Sequence, residues 1–355
     1  MMDWASSESD SYISPMKRST FLSRLALGAG SLPLLGAANA KTETGSSFTF
    51  AHLTDSHVQR RRAGHLGFAE CVKSVNALDR KPDLVLMGGD MVFDGLYTDK
   101  DVYLDQIALF KEGADKLDMP WYPCMGNHDV FGLSSRRKTT VDDPDIGKKL
   151  ILDAFNWKKP YYSFNHKNWH FVVLDTIFEV QTDSGPSYVP KIGEEQLEWL
   201  RFDLGAHNGM PTVVLMHIAA FCHSPQLTGN PEVRAYNGLI ISDNNPLREI
   251  LERHKVKVVL QGHTHQNEDF RWNDVWYVTS QSVSAAWWGG NWRGFKPGYV
   301  VYTAHDDGRI TWERKEYAWE HQLEPEDTLE RDRILQRADF EQAQRELYLK
   351  EIGAR

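Results

Sequence analysis

The chain has 355 residues, 41% hydrophobic, 12% aromatic and 25% charged, with a formal net charge of -9. That composition excludes a disordered, collagen-like or coiled-coil protein and allows a sizeable core in one large domain or two modest ones. The acidic balance argues against stable nucleic-acid binding, and Cys71, Cys124 and Cys222, in no CxxC spacing, support neither a disulfide framework nor a zinc ribbon.

Residues 16 to 40 form the first element. Met16-Lys17-Arg18 opens it, a Leu, Ala and Gly stretch fills 25 to 38, and Ala38-Asn39-Ala40 closes it. A basic start, a short apolar run and an A-x-A ending are the parts of a secretory signal peptide. The run is too short and glycine-rich to span a bilayer comfortably. Residues 1–40 therefore read as an N-terminal extension and export signal, with the mature chain periplasmic or extracellular and without a transmembrane segment. Lys17-Arg18-Ser19-Thr20-Phe21-Leu22 approaches a twin-arginine signal but carries Lys for the first Arg, so Sec and Tat routes both stay open. Met16 could be the true start.

From Phe48 onward, short apolar runs end repeatedly in polar clusters. Residues 48 to 53 lead into Thr54-Asp55-Ser56-His57, 84 to 87 into Gly88-Gly89-Asp90, and 121 to 125 into Gly126-Asn127-His128-Asp129. Residues 212 to 216 lead into His217, and 256 to 260 into Gln261-Gly262-His263-Thr264-His265. Such runs fit buried strands. Helix-like segments lie between them, at about 66–79, 101–117, 194–205 and 246–254. The alternation predicts α/β layers, and in open α/β sheets ligands collect beyond the carboxyl ends of strands, where each of these clusters falls.

After His265 the pattern becomes strand on strand, at 275–279, 299–303 and 309–317, and predicts the second sheet of a sandwich. Residues 325–352 are Glu- and Arg-rich with Leu329, Ile334, Leu335, Phe340, Leu347 and Ile352 interspersed, an amphipathic helix that docks on its own domain or could serve a homodimer.

Side chains at i and i+2 on a strand point the same way, so Asp55 with His57, and His263 with His265, could each deliver two ligands to one place. With Asp90, Asn127 and His217 they make two carboxylates, one amide oxygen and four imidazoles. That set exceeds the needs of one tetrahedral metal and suits two metals sharing a bridge. Any one of these residues alone would read as an ordinary core or surface group; the ordered set does not.

These residues resemble the calcineurin-like metallophosphoesterase superfamily, whose ordered motifs DxH, GD, GNH[DE], H and GHxH stand here between Asp55 and His265. The pattern is similar to that of bacterial class III cyclic-nucleotide and glycerophosphodiester phosphodiesterases. The resemblance implies a four-layer α/β/β/α sandwich of two mixed sheets over 48–317. It implies a first metal held by Asp55, His57, Asp90 and His265, and a second by Asp90, Asn127, His217 and His263. His128 would assist the leaving group as hydroxide bridging the metals attacks phosphorus, with Asp129 orienting His128 or capping the loop. Purple acid phosphatases place a metal-binding Tyr where this chain has Phe93, so their colour is not expected. The HxHxDH motif of metallo-β-lactamases is absent.

The implied cofactors are two divalent or trivalent ions, Mn, Fe, Zn or Ni, and the implied substrate is a small phosphate ester, a diester before a monoester. A phosphomonoesterase, a protein phosphatase or a non-catalytic metal-binding scaffold are the alternatives. Arg61 and Arg137, in basic runs beside the first and third motifs, could steer an anionic substrate. The run Trp287-Trp288-Gly289-Gly290-Asn291-Trp292 could wall the pocket, and His223 could rim it.

Overall fold

The computed structural model describes residues 46–223, 238–322 and 324. The export signal expected over 1–40 and the helix expected over 325–352, with its dimer contact, lie outside the described residues. Among the described residues no helix is long and apolar enough to cross a membrane.

In chain order the strands are β1 Ser47–Leu53, β2 Leu84–Met87, β3 Trp121–Pro123, β4 Tyr162–His166, β5 Trp169–Val173, β6 Ile177–Thr182 and β7 Gly185–Pro190. They continue as β8 Thr212–Leu215, β9 Val258–Gln261, β10 Glu268–Trp272, β11 Val275–Thr279, β12 Gly298–His305 and β13 Ile310–Glu316. The α-helices are α1 Gly64–Asn76, α2 Lys100–Ala114, α3 Lys149–Phe155, α4 Glu194–Ala206 and α5 Asn244–Arg253. One sheet runs β13-β12-β1-β2-β3, the other β10-β11-β9-β8-β5-β4, and β6-β7 is a separate hairpin.

Alternation along the strands produces the layers. Phe48, Phe50, Leu84 and Leu86 point between the sheets, where they meet Phe171, Val173, Val213, Leu215, Val258 and Leu260. The intervening Ala51, Leu53, Val85 and Met87 share the other core with Phe68, Val72 and Val75 of α1 and Tyr103, Ile107 and Phe110 of α2. On the second sheet Val172, Val214 and Val259 belong with Leu197, Leu200 and Leu204 of α4 and Leu247 and Leu251 of α5. Each fully buried Val, Leu or Phe contributes about 1.5–3 kcal/mol, so the four-layer α/β/β/α arrangement follows from strands buried on both faces.

The strands after His265 do not form a sheet of their own. β11 lies parallel to β9 in the six-stranded sheet, whereas β12 runs antiparallel to β1 in the other. Tyr302 of β12 stacks on Phe50 of β1, ring centroids 5.0 Å apart and nearly parallel. Period-two patterning marks a strand but carries no information about its partner, which is why the sequence assigned these strands to one sheet.

β1, β2 and β3 are mutually parallel, as are β5, β8, β9 and β11. The loops that follow β1, β2, β3, β8 and β9 converge. Asp55 N–H donates to Gly89 O, Gly262 N–H to His217 O and Val283 N–H to Thr54 O.

Candidate metal centre

One donor atom each from Asp55, His57 and His265 lies within 4.8 Å of the other two, and Asp90, His217 and His263 form a second group of the same kind. Asp90 joins the groups. Its Oδ1 accepts the His128 backbone N–H at 2.8 Å, while Oδ2 lies 3.2 Å from His217 Nε2 and 3.6 Å from His57 Nε2. Asp55 Oδ1 sits 3.2 Å from His265 Nε2 and 4.0 Å from His217 Nε2.

The route to this convergence differs from the pleat expected from sequence. β1 stops at Leu53 and β9 at Gln261, and the ligand residues lie beyond both ends. Asp55, His57, Asp90, His263 and His265 take left-handed φ of 55°, 42°, 49°, 71° and 58°. Such backbone costs of the order of 1–3 kcal/mol per residue and persists where surrounding contacts enforce it. Asp55 and His57 reach the same group, but His263 and His265 are divided between the two. Gly126 lets the third loop approach, since a Cβ there would come within 2.2 Å of Asp90 Oδ1.

Three histidines are oriented from behind. Backbone carbonyls accept from Nδ1 of His57 (Phe93 O, 3.4 Å), His217 (Gly88 O, 2.8 Å) and His265 (Ala285 O, 2.6 Å). Because a carbonyl only accepts, Nδ1 carries the proton and Nε2 keeps its lone pair, the arrangement that orients imidazole toward a metal. The Nε2 atoms of His57 and His265 are 3.2 Å apart. Nε2 of His217 and Oδ1 of Asn127 are buried without a hydrogen-bond partner. His263 differs: its Nε2 faces Gly238 O at 2.9 Å, which leaves Nδ1 as the ring's free lone pair.

The electrostatics ask for positive charge. Burial would raise Asp55, but His265 and His217 hold its carboxyl well below the usual range. Asp90 is also lowered, against burial, by His217 and His128. Burial opposes a proton on His217, yet Asp90 and Asp55 raise its pKa to about 10, so a proton there does what a cation would do. His263, buried beside His217, falls to about 4. Orphaned buried donors, carboxylates and inward lone pairs without thiolate together fit divalent or trivalent transition ions.

His128 stands at the rim, its ring edge-on to His57 at a centroid distance of 5.0 Å. Its Nδ1 lies 3.5 Å from Asp94 Oδ1. Burial lowers its pKa, but Asp90 and then Asp94 raise it overall. The sequence offered Asp129 either to orient His128 or to cap the loop, and its hydrogen bonds are those of the loop role. Both its oxygens are spent on backbone, Oδ1 on Met91 and Val92 N–H and Oδ2 on Gly126 N–H.

The outer residues separate. Trp287 lies against the centre, 4.5 Å from the His265 ring and 5.6 Å from His57, with Trp292 at 5.2 Å behind it. Trp288 points the other way and is fully buried, its Nε1 donating to Ser56 O and His57 O and its ring lying over Gly67 of α1. It cannot stack on a substrate. Arg137 ties the β6-β7 hairpin down through the carbonyls of Gly132, Ser184 and Pro186. Arg61 pairs with Glu324, and His223 with Glu268. Trp292 belongs to the tryptophan run that the sequence offered as a pocket wall, whereas sequence reasoning missed Asp94 and Tyr188, a β7 residue beside Asn127. Neither carried a signal in the sequence that set it apart from an ordinary loop or strand residue.

A family model described as calcineurin-like phosphoesterase matches residues 48–267. A probable cyclic nucleotide phosphodiesterase of Xenorhabdus bovienii is 23% identical over 248 residues, covering 67% of this chain and 87% of that one. A probable glycerophosphodiester phosphodiesterase of Arcobacter nitrofigilis is 26% identical over 223 residues, 62% of this chain and 70% of that one. The solved structure of PhoD aligns at 16% identity with a TM-score of 0.48, covering 79% of this chain and 67% of that one.

Proposed function

We propose that this chain, which belongs to the calcineurin-like phosphoesterase family, hydrolyses a small phosphodiester outside the cytoplasm. It is a metal-dependent phosphoric ester hydrolase. The two relatives named as phosphodiesterases support the diester preference, and the signal-like residues 16 to 40 support export.

In this reading Asp55, His57 and His265 would hold one ion and Asn127, His217 and His263 the other, with Asp90 between the two groups. The observation that carries it is the set of inward lone pairs around Asp90, each fixed by a hydrogen bond from behind. When bound, such a cation pair neutralises phosphate charge and makes water nucleophilic near neutral pH. The chain's own residues do the rest. His128, raised by its acidic neighbours, donates a proton to the departing alkoxide. Asp94 brings negative charge within 3.5 Å of that ring, and Trp287 with Trp292 offers an apolar face for a base or sugar.

The test is the ratio of kcat/KM for bis-p-nitrophenyl phosphate to that for p-nitrophenyl phosphate, measured on the manganese-loaded chain. The diester is expected to win. A reversed ratio would assign a monoesterase, and a protein that is inert after loading would assign a binding scaffold.

A further inference from the structure

The Asp55-Ser56-His57 turn is held on two sides. Its N–H groups face the loop after β2, where Asp55 N–H donates to Gly89 O and His57 N–H to Asp90 O, both at 2.9 Å. Its carbonyls face the segment between β11 and β12, and every carbonyl from Thr54 to His57 finds a donor there. Val283 N–H donates to Thr54 O at 2.9 Å. The hydroxyls of Ser282 and Ser284 each donate to Asp55 O at 2.8 Å. Trp288 Nε1 shares its proton between Ser56 O at 3.1 Å and His57 O at 3.0 Å. The segment also accepts from His265, whose Nδ1 donates to Ala285 O at 2.6 Å.

Residues 282–288 therefore reach Asp55, His57 and His265, the three members of one donor group. Among the described residues no hydrogen bond joins them to Asp90, Asn127, His217 or His263. Ring contacts divide in the same way. Trp287 lies against His57 and His265, while the rings of His217 and His263 face each other.

The segment is itself anchored. Tyr317 Oη donates to Val283 O at 2.6 Å, and His321 Nδ1 to Trp288 O at 3.0 Å. The Trp288 ring fills the space over Gly64 and Gly67 of α1, where a Cβ would come within 2.6 Å and 2.2 Å of it. Ser282 and Ser284 are fully buried, and a buried hydroxyl is costly unless it is hydrogen-bonded. Both spend theirs on the carbonyl of Asp55, a residue in left-handed φ. The segment lies beyond residues 48–267, so the motifs shared with the family do not supply it.

Resting on the two-ion reading of the centre, we propose that Ser282, Ser284 and Trp288 are positioning residues for the first ion alone. They hold the left-handed turn that aims Asp55 and His57 at His265. Partners of this kind behind a ligand set are worth about 10–100-fold in metal affinity. The full chain is stripped with chelator and titrated calorimetrically with manganese chloride, and wild type is expected to take two equivalents. Ser282→Ala combined with Ser284→Ala removes only two oxygens; it is expected to bind one equivalent about 10–100-fold more weakly and the other as wild type does. Trp288→Phe, which removes the N–H and keeps a ring over α1, should weaken the same equivalent. In a His263→Ala background, which leaves Asp55, His57 and His265 in place, the serine pair should weaken the remaining ion. An ion bound there just as tightly with the serine changes as without them would overturn the assignment. So would unchanged affinity, or equal loss, at both ions in the serine variant, which would make the segment ordinary core. A wild type that takes fewer than two equivalents would overturn the two-ion centre itself, and this role with it.

Discussion

The centre around Asp90 and the cluster of His170, Asp203 and His207 use the same kinds of side chain on very different backbones. Five residues of the first adopt left-handed φ, in the loops that leave β1, β2 and β9. None of His170, Asp203 and His207 does; they stand on a strand and at a regular helix end. A helix supplies two donors at i and i+4 without distortion, but only on one face and toward one neighbour. Gathering six side chains around Asp90 needs several loops turned inward, and the strain of those turns is borne by the two sheets beneath. Strain therefore marks where many polar side chains must share one small volume, and its absence marks where three meet as ordinary hydrogen-bonding neighbours.

That contrast predicts separable losses. Asp90→Ala should empty or halve the metal content and lower diester turnover by at least about 10³-fold, checked by metal analysis and kcat/KM. Full two-metal occupancy in that variant would contradict the shared carboxylate. His128→Ala should keep both metals and lose about 10²–10⁴-fold with an alkyl leaving group, which needs a proton, and much less with p-nitrophenolate. Unchanged turnover of the alkyl ester would remove His128 from the chemistry.

Asp94→Asn should cost about tenfold on the alkyl ester, and the double variant with His128→Ala should be no slower than His128→Ala alone. Additive losses would mean that Asp94 acts elsewhere. The smallest effect is at an exposed loop. The Thr139 hydroxyl, Lys100 and the Asp145 N–H lower the Asp143 carboxyl to about 2. Its folded pKa lies below the unfolded value of about 3.9, so its contribution to stability is complete above about pH 4 and is lost as pH falls through about 2. The Tm gap between wild type and Asp143→Asn should be small at neutral pH and close as acid is added.

Much of the centre was legible because its residue types are chemically costly to bury. Asp55, His57, Asp90 and His217 would each be expensive in a core without partners, so their order after apolar runs pointed to ligation. Asp94 was hidden because one aspartate in a loop resembles any solvated charge. Trp287 and Trp288 were inseparable in the chain, yet the turn between them sends one ring to the histidines and the other into α1. The run at Arg136-Arg137-Lys138 looked like anion steering, but Arg137 spends its donors on three backbone carbonyls, a use that composition does not record. Trp169–Val173 was missed as a strand, and with it the place of His170.

By itself the sequence determined the layer class, the five strands that end in polar loops, and most of the residues that gather at the centre, since periodicity and burial cost are local properties of a chain. Tertiary structure alone decided that β12 returns to β1, that His263 and His265 part company, that Asp94 faces His128, and that Asp203 and His207 meet His170. Each of those depends on which elements lie side by side, and contact across space is set by packing the whole core rather than by any window of residues.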